Sequence, residues 1–257
     1  MARRPRLAIL GTAPTVAQIQ VAAERLGWTP SSAPSADLVY VARGYTGDLD
    51  DLAGSGCHLA IDVDMVAEIG PDAVDTLVTR ATGSVRRGEP LASAPAVTHW
   101  LRTLRETPGL THLSGLSRSP SLNPSMIAVT LYAARAAGWS TAPDITSPAA
   151  GRLTLAFATP NGERRATLDL AGNGEELAQW ELQAASPDRV ARVALLPAPR
   201  LEINGDETIL PAQHPAAAFG QEFFLREWWR AVQGGGPARH DPVFVAALGA
   251  ATDLVSD

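Results

Sequence analysis

Asp62 and Asp64 stand two residues apart at the end of the apolar run Cys57-His-Leu-Ala-Ile-Asp-Val63. If His58 to Asp64 is a strand, then His58, Asp62 and Asp64 share one face, and the aspartates lie at its carboxyl end, where open α/β sheets place their ligands. Two carboxylates held together can act as an acid/base pair or as a weak metal site. The preferred alternative makes them turn or cap residues with His58 packed in the fold, and no metal is assigned. A second cluster is Ser114-Gly-Leu-Ser-Arg-Ser-Pro-Ser-Leu-Asn-Pro-Ser125, whose hydroxyls and Arg118 can hold a polar or anionic ligand, or simply cap a surface loop. The helix expected to start near Pro124, capped by Asn123, carries Tyr132 and Arg135 as its only titratable groups, so acid/base work from it would fall to Tyr132. The candidates are Asp62, Asp64 and Tyr132 for catalysis, and His58, Arg118, Ser121, Asn123 and Arg135 for substrate binding.

A third constellation opens the chain. Arg6-Leu-Ala-Ile-Leu-Gly11-Thr-Ala-Pro-Thr15, followed by a helical stretch to Trp28, is how a dinucleotide-binding βαβ unit begins. The full fingerprint reads G-x-G-x-x-G: the second glycine lets the backbone approach the pyrophosphate, and the third allows close packing of helix on strand. Here those two positions hold Ala13 and Val16, and Pro14 removes an amide donor from the turn. If a dinucleotide is retained, Gly11, Thr12 and Ala13 would contact it.

The elements that must position these groups change character along the chain. Val16, Ile19, Ala22, Ala23 and Leu26 recur at helical spacing, and Gly27 closes that helix. An eight-residue Pro/Ser-rich link, Thr29 to Ala36, leads to the buried strand Asp37-Leu-Val-Tyr-Val-Ala42, and a helix is expected around Pro71 to Ala81. In the second half, Arg152 to Phe157 and Arg165 to Leu170 alternate about Pro160-Asn-Gly162, which predicts a hairpin. Trp180 to Ala184, Val190 to Leu196 and Leu201 to Asp206 continue an antiparallel meander. A helix over Phe219 to Val232 crowds Phe223, Phe224, Trp228 and Trp229, so either two of its surfaces are covered or an apolar patch awaits a partner. Gly234-Gly-Gly-Pro237 ends it, and a last helix runs from about Asp241. The expected fold is α/β: a reduced Rossmann-like parallel-sheet domain over residues 1–90, then an α+β domain with a largely antiparallel open sheet over 91–257.

Composition narrows the chemistry. With 257 residues and 46% hydrophobic content the chain can bury a substantial core. A net charge of −6 with no long basic run argues against a nucleic-acid or membrane-surface partner, and no apolar stretch approaches a membrane span, so a cytoplasmic protein is expected. All 21 basic residues are arginine. Without lysine there is no Schiff-base chemistry, no pyridoxal phosphate attachment and no lysine general acid, and arginine, which stays protonated, is a poor substitute.

In this order the pieces resemble the Gfo/Idh/MocA oxidoreductase family. Asp37-Leu-Val-Tyr-Val-Ala42 is similar to the family's D-x-V-x-I-A strand, Gly56-Cys-His-Leu-Ala-Ile-Asp-Val-Asp-Met65 to its G-K-H-V-L-x-E-K-P-L segment, and Phe223 to Gly234 with Asp241 to its closing F-x-x-A-I-x-x-G…D helices. The resemblance implies a Rossmann domain followed by an open-sheet domain that builds the substrate site and often the oligomer interface. It also implies functional groups that are replaced here. Asp62 stands at the family's glutamate, and Val63 at the lysine thought to act in proton transfer. The family's Asp and His on a second-domain helix have no match, since Leu113 to Pro143 contains no Asp, Glu or His. The eight-residue link takes the place of the second strand, which normally ends in the acid that binds the adenosine ribose.

From these departures the expectation is a scaffold that holds no cofactor and has lost hydride transfer. It would act as a non-redox cyclase, isomerase or lyase on a small molecule, or as a subunit joined to a second copy or a full-length paralogue through the C-terminal sheet and the Phe223–Trp229 helix. The alternative is an NAD(P)-dependent oxidoreductase with an atypical cofactor site.

Overall fold

The computed structural model describes residues 4–107, 109–139, 141–170, 178–208, 210, 214–234 and 242–256. His240 and Asp241, and with them residues 235–237 of the glycine-rich stop, lie outside the described residues. The chain forms two units, Met1–Ser93 with His214–Val245, and Ala94–Gln213 with Ala246–Asp257.

The first unit is built on a parallel sheet. Its strands are β1 (Arg6–Leu10), β2 (Thr29–Pro30), β3 (Leu38–Val41), β4 (His58–Asp62) and β5 (Val85–Gly88), in the order β2-β1-β3-β4-β5. The helices between them are α1 (Pro14–Arg25), α2 (Leu49–Gly54) and α3 (Val63–Arg80). Apolar residues on both sheet faces are the mark of buried parallel strands, and all four residues of β3 are buried. The link expected to replace the second strand keeps a remnant of it, because Thr29 and Pro30 pair with Arg6 and Leu7. Pro30 has no N–H to extend the ladder, and a 3₁₀ turn over Ala33–Ser35 follows at once. Helix α3 bends at Gly70, whose φ of 76° precedes Pro71, so the helix expected from Pro71 is its second half.

Two later helices, α6 (Pro215–Ala218) and α7 (Gln221–Gln233), complete this unit. Leu7, Leu38, Tyr40, Ala42 and Ala60 form one sheet face, covered by Ile19, Ala22 and Ala23 of α1 and by Phe224, Leu225 and Trp228 of α7. Arg25 of α1 clamps Glu222 of α7 at 2.6 Å, and Gln221 donates to Gln18 at 2.7 Å. The aromatic crowding on α7 thus resolves into a buried stripe, with Trp229 packed at its margin and Phe223 37% exposed.

The second unit carries α4 (Pro95–Arg105), β6 (His112–Ser117), α5 (Asn123–Ala136) and seven more strands. These are β7 (Asp144–Ala149), β8 (Arg152–Thr159), β9 (Gly162–Asp169), β10 (Trp180–Ala185), β11 (Val190–Leu196), β12 (Arg200–Ile203) and β13 (Asp206–Thr208). They form one sheet, β13-β12-β11-β10-β6-β9-β8-β7, antiparallel except where β6 meets β9. The predicted hairpin is β8–β9, closed at Thr159 and Gly162. Leu153, Leu155, Phe157, Ala166, Leu168, Leu113 and Leu182 fill the buried face beneath α4 and α5. The last helix, α8, spans Pro242–Ser256. Among the described residues no helix is long and apolar enough to cross a membrane.

Candidate active site

The turn after β1 is set by Gly11, which adopts φ +110° and lies so close to β3 that a Cβ would collide with the Ala42 carbonyl. Only glycine combines that dihedral with that approach. The next two amides, Thr12 and Ala13, both donate to the Arg43 carbonyl, at 2.9 and 3.2 Å. Pro14 then opens α1 without an N–H. From the other side Gly44, at φ +84°, leaves room for the Thr12 hydroxyl. The β1–α1 and β3–α2 loops are therefore locked together at the carboxyl edge of the sheet. Gly11→Ala is expected to lower stability by about 1–3 kcal/mol through backbone strain alone; a thermal melt matching wild type would contradict this geometry.

Beside that edge, Asp62 is the last residue of β4 and the N-cap of α3, accepting from the Asp64 amide at 3.0 Å. The cap reading from sequence therefore describes Asp62, while Asp64 is not on the strand face at all but in the first helical turn. Tyr40 donates its phenol O–H to the other Asp62 oxygen. Its ring is fully buried, stands edge-on to Phe224 at 6.0 Å, and lies 2.8 Å from where a Cβ at Gly88 would sit. Burial, and then the charge of Asp62, push the Tyr40 phenol well above its ordinary range, so it stays a donor at neutral pH. Burial also raises the Asp62 carboxyl, against the stabilising hydrogen bonds it accepts.

The Asp64 carboxyl is shifted towards neutrality. Burial first and the neighbouring Asp62 charge second raise its carboxyl to about 7, opposed by Arg43. The Arg43 side chain is 69% exposed and sits 3.5 Å from Glu68 on the next turn of α3. Such a carboxyl can give or take a proton near neutrality. Val63, between the two aspartates, is buried and carries no group that could transfer a proton.

His58 is not part of this group. It begins β4, about 13 Å of strand from Asp62, and its Nδ1 accepts from the Ser84 amide at 3.0 Å. Burial lowers its pKa, which leaves it neutral and structural. In the second unit Arg118 pairs with Asp169 at 2.9 Å, and the Ser121 and Ser119 hydroxyls lie 3.2 Å apart. Asn123 does not cap α5 as expected; it is the first helical residue, and its amide donates to the Leu170 carbonyl at 3.2 Å. Tyr132 is half-buried on α5, and Arg135 is exposed in its last turn. Among the described residues no group of three His, Cys, Asp or Glu could hold a metal ion. Tyr40 and Arg43 went unnoticed in the sequence, where the first looks like core and the second like a loop cation.

No family model matches the sequence, and no curated protein matches it. Solved structures do. A Gfo/Idh/MocA family oxidoreductase from Vibrio cholerae is 12% identical with a TM-score of 0.63, covering 98% of this chain and 96% of that one. The chain has the Gfo/Idh/MocA oxidoreductase fold. GenD2 from gentamicin A biosynthesis, in complex with NAD, is 13% identical at a TM-score of 0.68, covering 100% of this chain and 94% of its own. Levoglucosan dehydrogenase, in complex with NADH, is 9% identical at 0.65, with coverage of 99% and 96%. These complexes overturn the expectation that a scaffold of this kind is without a cofactor.

Proposed function

We propose that the chain is an NAD(P)-dependent oxidoreductase acting on a hydroxyl group of a small, sugar-like molecule. The observation that carries this is the end-to-end fold likeness to GenD2 bound to NAD and to levoglucosan dehydrogenase bound to NADH, combined with the Gly11 turn beside a carboxyl poised near neutrality. Gly11, Thr12 and Ala13 would line the dinucleotide, with the amides of the latter two engaged by Arg43 rather than free for phosphate. When bound, the nicotinamide supplies hydride acceptance and donation. Asp64 takes the hydroxyl proton as the alcohol becomes a carbonyl, in the place of the absent lysine, and returns it in the reverse direction. Asp62 holds the first turn of α3, and so the Asp64 backbone, in place. Tyr132, Arg118, Ser121, Asn123 and Arg135 of the second unit stay as candidates for substrate contact, each open to alanine substitution.

Titration with NADH and NADPH, followed by quenching of the six tryptophans, tests the reading directly. Saturable binding of at least one, and reduction of NAD or NADP with a sugar panel, are expected. Absence of binding by both would sink it.

A further inference from the structure

The β1–α1 loop has given up much of its usual means of holding a dinucleotide. Ala13 and Val16 occupy two glycine positions, Pro14 has no N–H, and the Thr12 and Ala13 amides already donate to the Arg43 carbonyl. The residue that consumes those amides also carries a cation. Arg43 follows the buried end of β3, directly across from Gly11, and its guanidinium projects into solvent at the carboxyl edge of the sheet. Its Nε is 3.5 Å from Glu68, an exposed partner, at 54% side-chain exposure, that screening weakens. Arginine matches phosphate geometry with two parallel N–H bonds, and it needs no lysine or free loop amide to do so.

Resting on the dinucleotide reading above, we infer that the Arg43 side chain is the pyrophosphate contact of this protein. It replaces backbone amides with a guanidinium that a bound phosphate must draw away from Glu68. Glu68 thereby becomes a competitor for the same cation. Removing it strengthens binding, whereas removing Arg43 weakens it.

Isothermal titration of wild type, Arg43→Gln, Arg43→Lys and Glu68→Gln with NADH, NADPH and ADP-ribose tests this. Arg43→Gln is expected to bind about ten- to a hundredfold more weakly. ADP-ribose, which has the pyrophosphate without the nicotinamide, should lose the same factor. Arg43→Lys should recover part of it, and Glu68→Gln should bind more tightly than wild type, with both gains fading at high salt. Folding of each variant is checked by its melt, since an exposed side chain should leave this unchanged. Equal affinity of wild type and a folded Arg43→Gln overturns the inference and leaves the dinucleotide reading standing. Wild type binding none of the three ligands overturns both.

Discussion

Asp64→Asn is expected to lower turnover of the proposed oxidation by about 10²- to 10⁴-fold, the usual worth of a positioned proton acceptor. Affinity for NADH should hold or improve, because the substitution also removes a carboxylate facing Arg43. In wild type the Asp64 carboxyl titrates near 7 under the influence of burial, Asp62 and Arg43. Oxidation needs the carboxylate and rises as pH passes upward through that value; carbonyl reduction needs the acid and falls. The asparagine variant should flatten both profiles. A wild-type profile that survives the substitution would remove Asp64 from the mechanism.

The same residue makes a stability prediction of opposite sign. The folded state holds the Asp64 proton more tightly than the unfolded chain does, since its carboxyl is raised from 3.8 to about 7. Below about pH 4 both states are protonated and the group costs nothing; as pH rises towards 7 the unfolded chain releases its proton first, and stability is lost. Asp64→Asn should therefore gain stability relative to wild type between those limits, with the gain level above 7. Thermal melts across that range would show whether activity is bought with stability here.

Trp228→Ala should be strongly destabilising, at about 3–5 kcal/mol for loss of a large buried aromatic. Trp228 is 1% exposed and packs on Phe224, 5.9 Å between ring centroids, within the stripe that closes α7 over the sheet. Its indole N–H finds no hydrogen-bond partner among the described residues. Trp228→Phe removes that orphaned donor together with part of the ring, so it should cost much less than alanine. Denaturant titrations of the two variants decide the matter; a loss for Trp228→Phe as large as for Trp228→Ala would contradict the packing argument.

The legible parts of the fold were those with long, regular patterns. The β8–β9 hairpin announced itself through alternation and an Asn-Gly turn, and α1 through its 3.6-residue period closed by Gly27. β2 was invisible because two paired residues have no period, and Pro30 argues against a strand. The docking of α7 was undecided because four aromatics in seven residues satisfy either a covered or an exposed helix; only the partner surfaces of α1 and the sheet choose. In the site, Asp62 and Asp64 could be singled out, but their division of labour could not. It depends on Tyr40, twenty-two residues earlier, and on Arg43, both brought near only by the alignment of β3 with β4.

The return of α7 also sets an order of events in time. As the chain leaves the ribosome, β1 to β5 emerge within the first ninety residues, yet Ile19, Ala22, Leu38 and Tyr40 are only partly covered until Phe224 and Trp228 appear. The intervening residues of the second unit can complete their own sheet first. For the span of more than a hundred residues, the nascent first unit presents a sticky, half-finished surface. A connection made long after the strands it protects should leave chains truncated before residue 221 prone to aggregate.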